Sequence, residues 1–430
     1  MPRPNSTLDH LAALLAKGRG EAGPGPSPGA GGSRPASILL IKGDFAYDSL
    51  NRLLALIARH WSEAGTRCLE IDITAPDWSE RMQDALAATR PLFCISMGGV
   101  VLDLVNQARS AWDLFRFPVV CLHCDHPAFY APRHRNLPQH VVLAYMFRDH
   151  AIYQRDHVKA ANLVTSIDFG IPDLPLRPPP AGGPAPTVVF AKTGNDPLEL
   201  EARWRTRPAL GRLIHDLVDE VGLGSCAAYP AALDKVAAAH RLELQPFDRL
   251  TRLLITQVDD YARRRKSLAI AQAIRAFPVD VYGGGWEYFA RDGARARFRG
   301  AAAYDALGAA VAGAAASITM NPNIELSAHD RFFTALGAGV MPVSDGNAFI
   351  RENFAELADF TFDFKPGTLE SVLERIFSRP DDTRERARAV RAEAIQRMST
   401  RHAAEQIRST ADLAEYLDFS FAPPQPFFGF

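Results

Sequence analysis

Several short stretches of this chain gather side chains able to do chemistry. In His123-Cys124-Asp125-His126-Pro127 a carboxylate stands between two imidazoles. Asp125 could take a proton from a hydroxyl directly, or His126 could do so with a carboxylate orienting it. The same residues also suit an Asp that caps the turn before Pro127, or a metal site. In Asn321-Pro322-Asn323 through Glu325 to His329-Asp330-Arg331, polar residues lead into an apolar helical pattern that closes on Gly337-Ala338-Gly339. A helix start reinforced by Arg331, with His329 beside it, is suited to a diphosphate: backbone amides and the helix dipole favour an anion, and a guanidinium binds two oxygens at once. Tyr282-Gly283-Gly284-Gly285-Trp286 offers a backbone that a phosphate or a sugar ring can approach closely, although a plain loop would use the same glycines. Lys192 is a further candidate phosphate partner, and equally a surface lysine. Two other turns, Lys42-Gly43-Asp44 followed by Asp48, Ser49 and Asn51, and Ser96-Met97-Gly98-Gly99, suit either a ligand or simple turn chemistry.

The elements that must position these groups follow from hydrophobic periodicity. From residue 37 apolar runs alternate with amphipathic helical stretches: runs at 37–41, 67–73, 91–96, 118–123 and 141–145, helices at 50–64, 78–88, 102–115 and 148–159. Such alternation predicts a parallel sheet wrapped by helices. Residues 172–186 hold seven prolines and read as a linker. The order then resumes, with runs at 187–191, 279–282, 316–320, 340–344 and 359–362, and helical stretches at 198–221, 231–240, 248–276, 304–314, 330–338, near 349–356 and from 369. The expected domains are residues 37–180 and 187–411. Ahead of them residues 6–17 repeat leucines at helical spacing before a Gly- and Pro-rich stretch to 36, and residues 412–430 form a tail. In open parallel sheets ligands bind beyond the carboxyl ends of the strands, which is where every stretch named above falls.

The bulk numbers narrow the function. With 48 basic and 49 acidic side chains, nothing in the overall charge favours nucleic acid or another polyanion. No apolar run is long enough to span a membrane and no secretory signal opens the chain, so a cytoplasmic protein is expected. The five cysteines read as buried thiols, including the Cys121/Cys124 pair at a strand end. Neither half shows G-x-G-x-x-G between strand and helix, which disfavours a plain dinucleotide dehydrogenase.

On these motifs the chain resembles the CgeB-like (spore-maturation-protein-like) glycosyltransferases over residues 37–411. The resemblance is carried by Tyr282-Gly283-Gly284-Gly285-Trp286, by Arg331-Phe332-Phe333-Thr334-Ala335-Leu336 through Gly339, by Val343-Ser344-Asp345, by the helices at 369–377 and 384–397 followed by His402, and by Asp125-His126-Pro127 in the first half. It implies a GT-B fold, two Rossmann-like domains facing each other across a cleft. It also implies metal-independent transfer from a nucleoside-diphosphate sugar, which is a substrate and not a resident cofactor. The C-terminal domain would take that donor, through Lys192, Gly283, Gly284, Gly285, Trp286, Asn321, Asn323, Glu325, His329 and Arg331. The N-terminal domain would take the acceptor, a glycan, a protein or a small molecule, with Asp125 or His126 as base if the anomeric centre inverts. The family commonly has Glu where this chain has Thr334, and Glu325 could substitute for it. A sugar-nucleotide epimerase or hydrolase, and a binding protein without turnover, are the alternatives. The basic segment at 291–299 and the aromatic tail at 419–430 could be partner surfaces, or a solvated loop and a packed tail.

Overall fold

The computed structural model describes residues 34–416, apart from 104, 107–108, 111–116, 135–136, 138–139, 160–161, 177–187, 246 and 290–291. The helical stretch at 6–17, most of the proline-rich segment and the aromatic tail therefore lie outside the described residues. The chain divides into two compact units, Met1–Asp168 with Thr400–Phe430, and Phe169–Ser399. Each is a Rossmann-like α/β layer structure, the building block that the GT-B class uses twice.

In unit 1 the strands β1 (Ala36–Lys42), β2 (Arg67–Asp72), β3 (Arg90–Met97), β4 (Val119–His123), β5 (Val141–Tyr145) and β6 (Val164–Ser166) form one sheet in the order β2-β1-β3-β4-β5-β6. Every pairing is parallel. Central strands of such a sheet are covered on both faces, so β4 and β5 read as nearly unbroken apolar runs and all their residues are buried. Helix α1 (Ser49–Glu63) turns Leu53, Leu54, Ile57, Ala58 and Trp61 inward. Trp61 meets Phe93 of β3 edge-on, ring centroids 5.4 Å apart, and its Nε1–H donates to the Ala404 carbonyl at 3.0 Å. Ala404 belongs to the last helix, Thr400–Tyr416, whose buried Ala403, Ala404 and Ile407 make it part of unit 1. The alternation of elements assigns residues up to 411 to the second domain, since adjacency along the chain is the only guide a pattern offers. The expected helix at 102–115 is also replaced. A short 3₁₀ turn, Val100–Asp103, leads into two antiparallel strands, Val105–Asn106 and Arg109–Ser110. Beyond β4, α2 (Pro127–Tyr130) is a single turn with Pro127 in its first position.

Unit 2 holds β7 (Val188–Ala191), β8 (Asp280–Tyr282), β9 (Arg297–Gly300), β10 (Ala316–Ile318), β11 (Met341–Asp345) and β12 (Thr361–Phe362), in the order β9-β8-β7-β10-β11-β12 and all parallel. The direction of winding reverses between β7 and β10, and in unit 1 between β1 and β3. Such a reversal opens a crevice at the strands' carboxyl ends, because the chains leaving the two central strands pass to opposite faces of the sheet. The long β7–β8 connection breaks at Pro208, giving helices Pro197–Arg205 and Pro208–Val221 where periodicity suggested one stretch. It ends in α3 (Arg249–Ile274), where the Asp248 carboxylate caps the start by accepting from the Thr251 amide at 2.6 Å. Past β10 and β11 come α4 (Asp330–Gly337) and α5 (Ala348–Asn353). Residues 172–174, expected in the linker, are fastened to unit 2: Arg391 donates to the Asp173 carboxylate at 2.6 Å and to the Leu174 carbonyl at 3.0 Å. No helix among the described residues is long and apolar enough to cross a membrane.

Candidate functional site

The switch point of unit 2 lies between Lys192, just past β7, and the loop from β10 to α4. Asn321 ties that loop at both ends. Its amide N–H donates to Asp345 Oδ1 at 2.7 Å, its side-chain Nδ2 donates to the Asp345 carbonyl at 2.9 Å, and its Oδ1 accepts from the His329 amide at 3.1 Å. Asn323 adopts φ +48°, a left-handed conformation that Asn tolerates better than most residues, and its Nδ2 donates to Asp259 Oδ1 at 2.9 Å. Both side chains are 1% exposed. They were expected against the ligand; the structure turns them inward, where they shape the loop that presents α4.

Lys266 of α3 completes this scaffold. It is buried, donates to the Asn321 carbonyl at 3.3 Å and stands 3.6 Å from Asp345 Oδ2. Burial pushes the Asp345 carboxyl above its usual range, against the pull of the Lys266 charge. Sequence reasoning passed over Lys266. The available signal was its place four residues from both Ala262 and Ile270, on the inward stripe of the helix.

At the start of α4, His329 Nδ1 accepts from the Arg331 amide at 3.2 Å, which caps the helix, and lies 2.5 Å from Asp330 Oδ1. Burial lowers the His329 imidazole below its ordinary value; the charges of Arg331 and Lys192 add to that, against Asp330. Burial also works to raise the Asp330 carboxyl, but His329 and Arg331 outweigh it and hold the group below the usual range. Lys192, just past β7, and Arg331, in the first turn of α4, thus act on one imidazole. Among the described residues no hydrogen bond or ion pair holds the Arg331 guanidinium.

The glycine run has a different partner from the one its composition suggested. A Cβ on Gly283 (φ +137°) would collide with the Lys192 carbonyl, and one on Gly285 (φ +80°) with the Gly194 carbonyl. Lys192 and Gly194 donate their amides to the carbonyls of Tyr282 and Gly284 at 2.8 and 2.9 Å, so the two loops extend the β7–β8 pairing. Trp286 is 1% exposed, and its Nε1–H donates to the Lys192 carbonyl at 2.8 Å. A glycine run shows that something comes close; here it is another segment of the same unit. Only Gly284 faces open space.

Glu325 accepts from the Ala348 amide, the first of α5, at 2.9 Å beside the Asn347 cap, while the Thr334 hydroxyl donates to the Asp330 carbonyl at 2.9 Å within its own helix. The basic segment is a strand edge: Arg297 and Arg299 both reach Asp280 Oδ1 at 2.8 Å, and Arg291 lies outside the described residues.

In unit 1 the cluster after β4 separates. His123 and His126 are both 0% exposed, so the imidazoles expected in the crevice belong to the interior. His123 Nε2 lies 3.3 Å from His134 Nε2, and burial pushes His123 well below its usual range. His126 Nδ1 accepts from the Ala128 amide at 3.2 Å, as the cap of α2. Its neutral form then carries a proton on Nε2 and has no lone pair to act as base. Asp125 is partly exposed and accepts from the Tyr130 hydroxyl at 3.4 Å. Cys121 is buried and its thiol pushed up to about 12, out of the nucleophilic range. Among the described residues no three metal-binding side chains gather in a metal-holding group.

Residues 263–409, roughly one third of the chain, match the family described as glycosyl transferase-like. That segment is similar to glycosyl transferase-like domains. It contains Lys266, the glycine run and all of the β10–α4 loop. Two solved structures align with the chain as well. One is a glycosyltransferase from Rickettsia africae ESF-5, with 9% identity over 90% of this chain and all of that one, at a TM-score of 0.42. The other is CalG4, the calicheamicin glycosyltransferase, with 11% identity over the same shares, at a TM-score of 0.34. No curated protein matches the chain.

Proposed function

We propose that this protein transfers a sugar from a nucleoside-diphosphate sugar to an acceptor nucleophile without a metal ion, as in the CgeB-like enzymes, and that unit 2 holds the donor. The observation that carries the reading is the convergence of Lys192 and Arg331 on the His329 imidazole, at the capped start of α4, within a unit that holds most of the segment similar to glycosyl transferase-like domains. Breaking the bond between the sugar and its leaving diphosphate builds negative charge on a phosphate oxygen. Two cations and the positive end of a helix stabilise that charge. Asp125 is the group we assign to deprotonating the acceptor, with His126 fixing the turn that carries it.

One observation favours a second reading, a nucleotide-sugar-binding protein without turnover. Thr334 is hydrogen-bonded within its helix and Glu325 is engaged by the first amide of α5, so neither supplies the carboxylate expected to hold the donor. A thermal-shift screen with UDP, GDP, CDP and dTDP tests what the two readings share. A ligand that binds only the folded state raises the unfolding midpoint with the logarithm of its concentration. At least one diphosphate is expected to raise the midpoint by several degrees at millimolar concentration; no shift with any of them overturns both readings. Product analysis with the matching sugar nucleotides then separates transfer from hydrolysis and from binding alone.

A further inference from the structure

The carboxyl end of β1 is built in an unusual way. Tyr47 and Asp48, neither of them glycine, adopt φ of +58° and +56° in succession. Such residues are disfavoured there unless their surroundings over-determine them, and they cluster at ligand sites. The surroundings do over-determine them. The buried Asn51 side chain donates to the Gly43 carbonyl at 2.9 Å and to Asp48 Oδ1 at 2.7 Å, the Asp48 amide donates to the Phe45 carbonyl at 2.9 Å, and Arg52 pairs with Asp48 at 3.2 Å.

The strained turn holds the Tyr47 ring out in solvent, 51% exposed, and among the described residues nothing bonds it. Two residues earlier Phe45 folds back over the switch point of unit 1. The Phe45 and Tyr130 rings come within 3.6 and 3.9 Å of where a Cβ on Gly98 would sit, so the ends of β1 and β3 and the turn after β4 share one surface. Tyr130 donates its hydroxyl to Asp125, and Asp44 is exposed on the β1 turn.

We infer that this surface is a subsite for a pyranose ring of the acceptor, with Tyr47 as the platform on which the ring stacks. A pyranose has an apolar face of C–H groups bounded by hydroxyls. An aromatic ring covers such a face at little entropic cost, and neighbouring carboxylates accept from the hydroxyls at its rim. Asp44 and Asp125 give the surface the acceptors that a saccharide needs, and a carboxylate-lined site repels phosphate. The inference rests on the transferase reading and narrows its acceptor to a saccharide.

The test is saturation-transfer NMR on the full chain, with maltotriose, cellotriose and chitotriose as probes. At least one is expected to show transfer to its ring C–H protons. Tyr47→Phe keeps that signal and Tyr47→Ala reduces the affinity fivefold or more. Tyr47→Asn tolerates the left-handed backbone, so it loses binding with its unfolding midpoint kept or raised, which separates ligand binding from folding. Unchanged affinity in Tyr47→Ala overturns the inference, as does the absence of transfer to any trisaccharide. Nucleoside-diphosphate binding is measured on the same samples. If the diphosphate binds and no trisaccharide does, the subsite fails and the donor reading stands; if neither binds, both fail.

Discussion

The carboxyl ends of the two sheets carry opposite chemistry on closely related topologies. In unit 2 the reversal between β7 and β10 is flanked by Lys192, His329 and Arg331, and its loops are drawn together by glycines and buried asparagines. In unit 1 the reversal between β1 and β3 is flanked by Phe45, Tyr47 and Asp44, with Asp125 one strand further on and the histidines withdrawn into the interior. Cations favour a diphosphate; aromatic rings with carboxylates favour an uncharged polyol. On the proposed reading the same winding serves two sites, and only the few residues after each strand decide what each takes.

The largest expected effect sharpens the unit 1 side. Asp125→Asn removes the base proposed for the acceptor while leaving unit 2 untouched, and a positioned general base contributes about 10²–10⁴-fold. Turnover is expected to fall by about that much with nucleotide binding unchanged, as read by a coupled diphosphate-release assay; full activity in Asp125→Asn would move the base elsewhere. The next effect belongs to unit 2. Gly285→Ala forces a side chain onto the Gly194 carbonyl at a left-handed position, whereas Gly284→Ala points its methyl into open space. Strain and overpacking at Gly285 together cost about 2–5 kcal/mol. Denaturant unfolding is expected to show that loss for Gly285→Ala and little change for Gly284→Ala. Equal effects would mean that the two loops are not knitted as described.

Much of this architecture was legible in the sequence, because buried parallel strands such as β4 and β5 leave unbroken apolar runs that need no long-range knowledge. The edge strands β6 and β9 were not, since Val164-Thr165-Ser166 and Arg297-Phe298-Arg299-Gly300 are short and half polar. At the site, Arg331 and His329 could be picked out because a helix start is a local pattern. The inward turn of Asn321 and Asn323 could not, because their partners Asp345 and Asp259 lie 24 and 64 residues away. The glycine run shows the same limit: composition reveals that a Cβ is excluded, and only the fold reveals that the Lys192 and Gly194 carbonyls exclude it. Tyr47 gave no signal at all, since left-handed backbone at a tyrosine is set by Asn51 and its neighbours.

The smallest of these three effects bears on the central contrast, a cationic donor site against an uncharged acceptor site. Isothermal titration of the nucleoside diphosphate that gives the largest thermal shift, into the unaltered chain and into Arg331→Ala, measures it. Hydrogen bonds to charged groups are worth about 1.5–3 kcal/mol, which corresponds to a roughly ten- to hundredfold weaker Kd in the variant. A Kd unchanged by Arg331→Ala would contradict the assignment of the diphosphate to the switch point of unit 2.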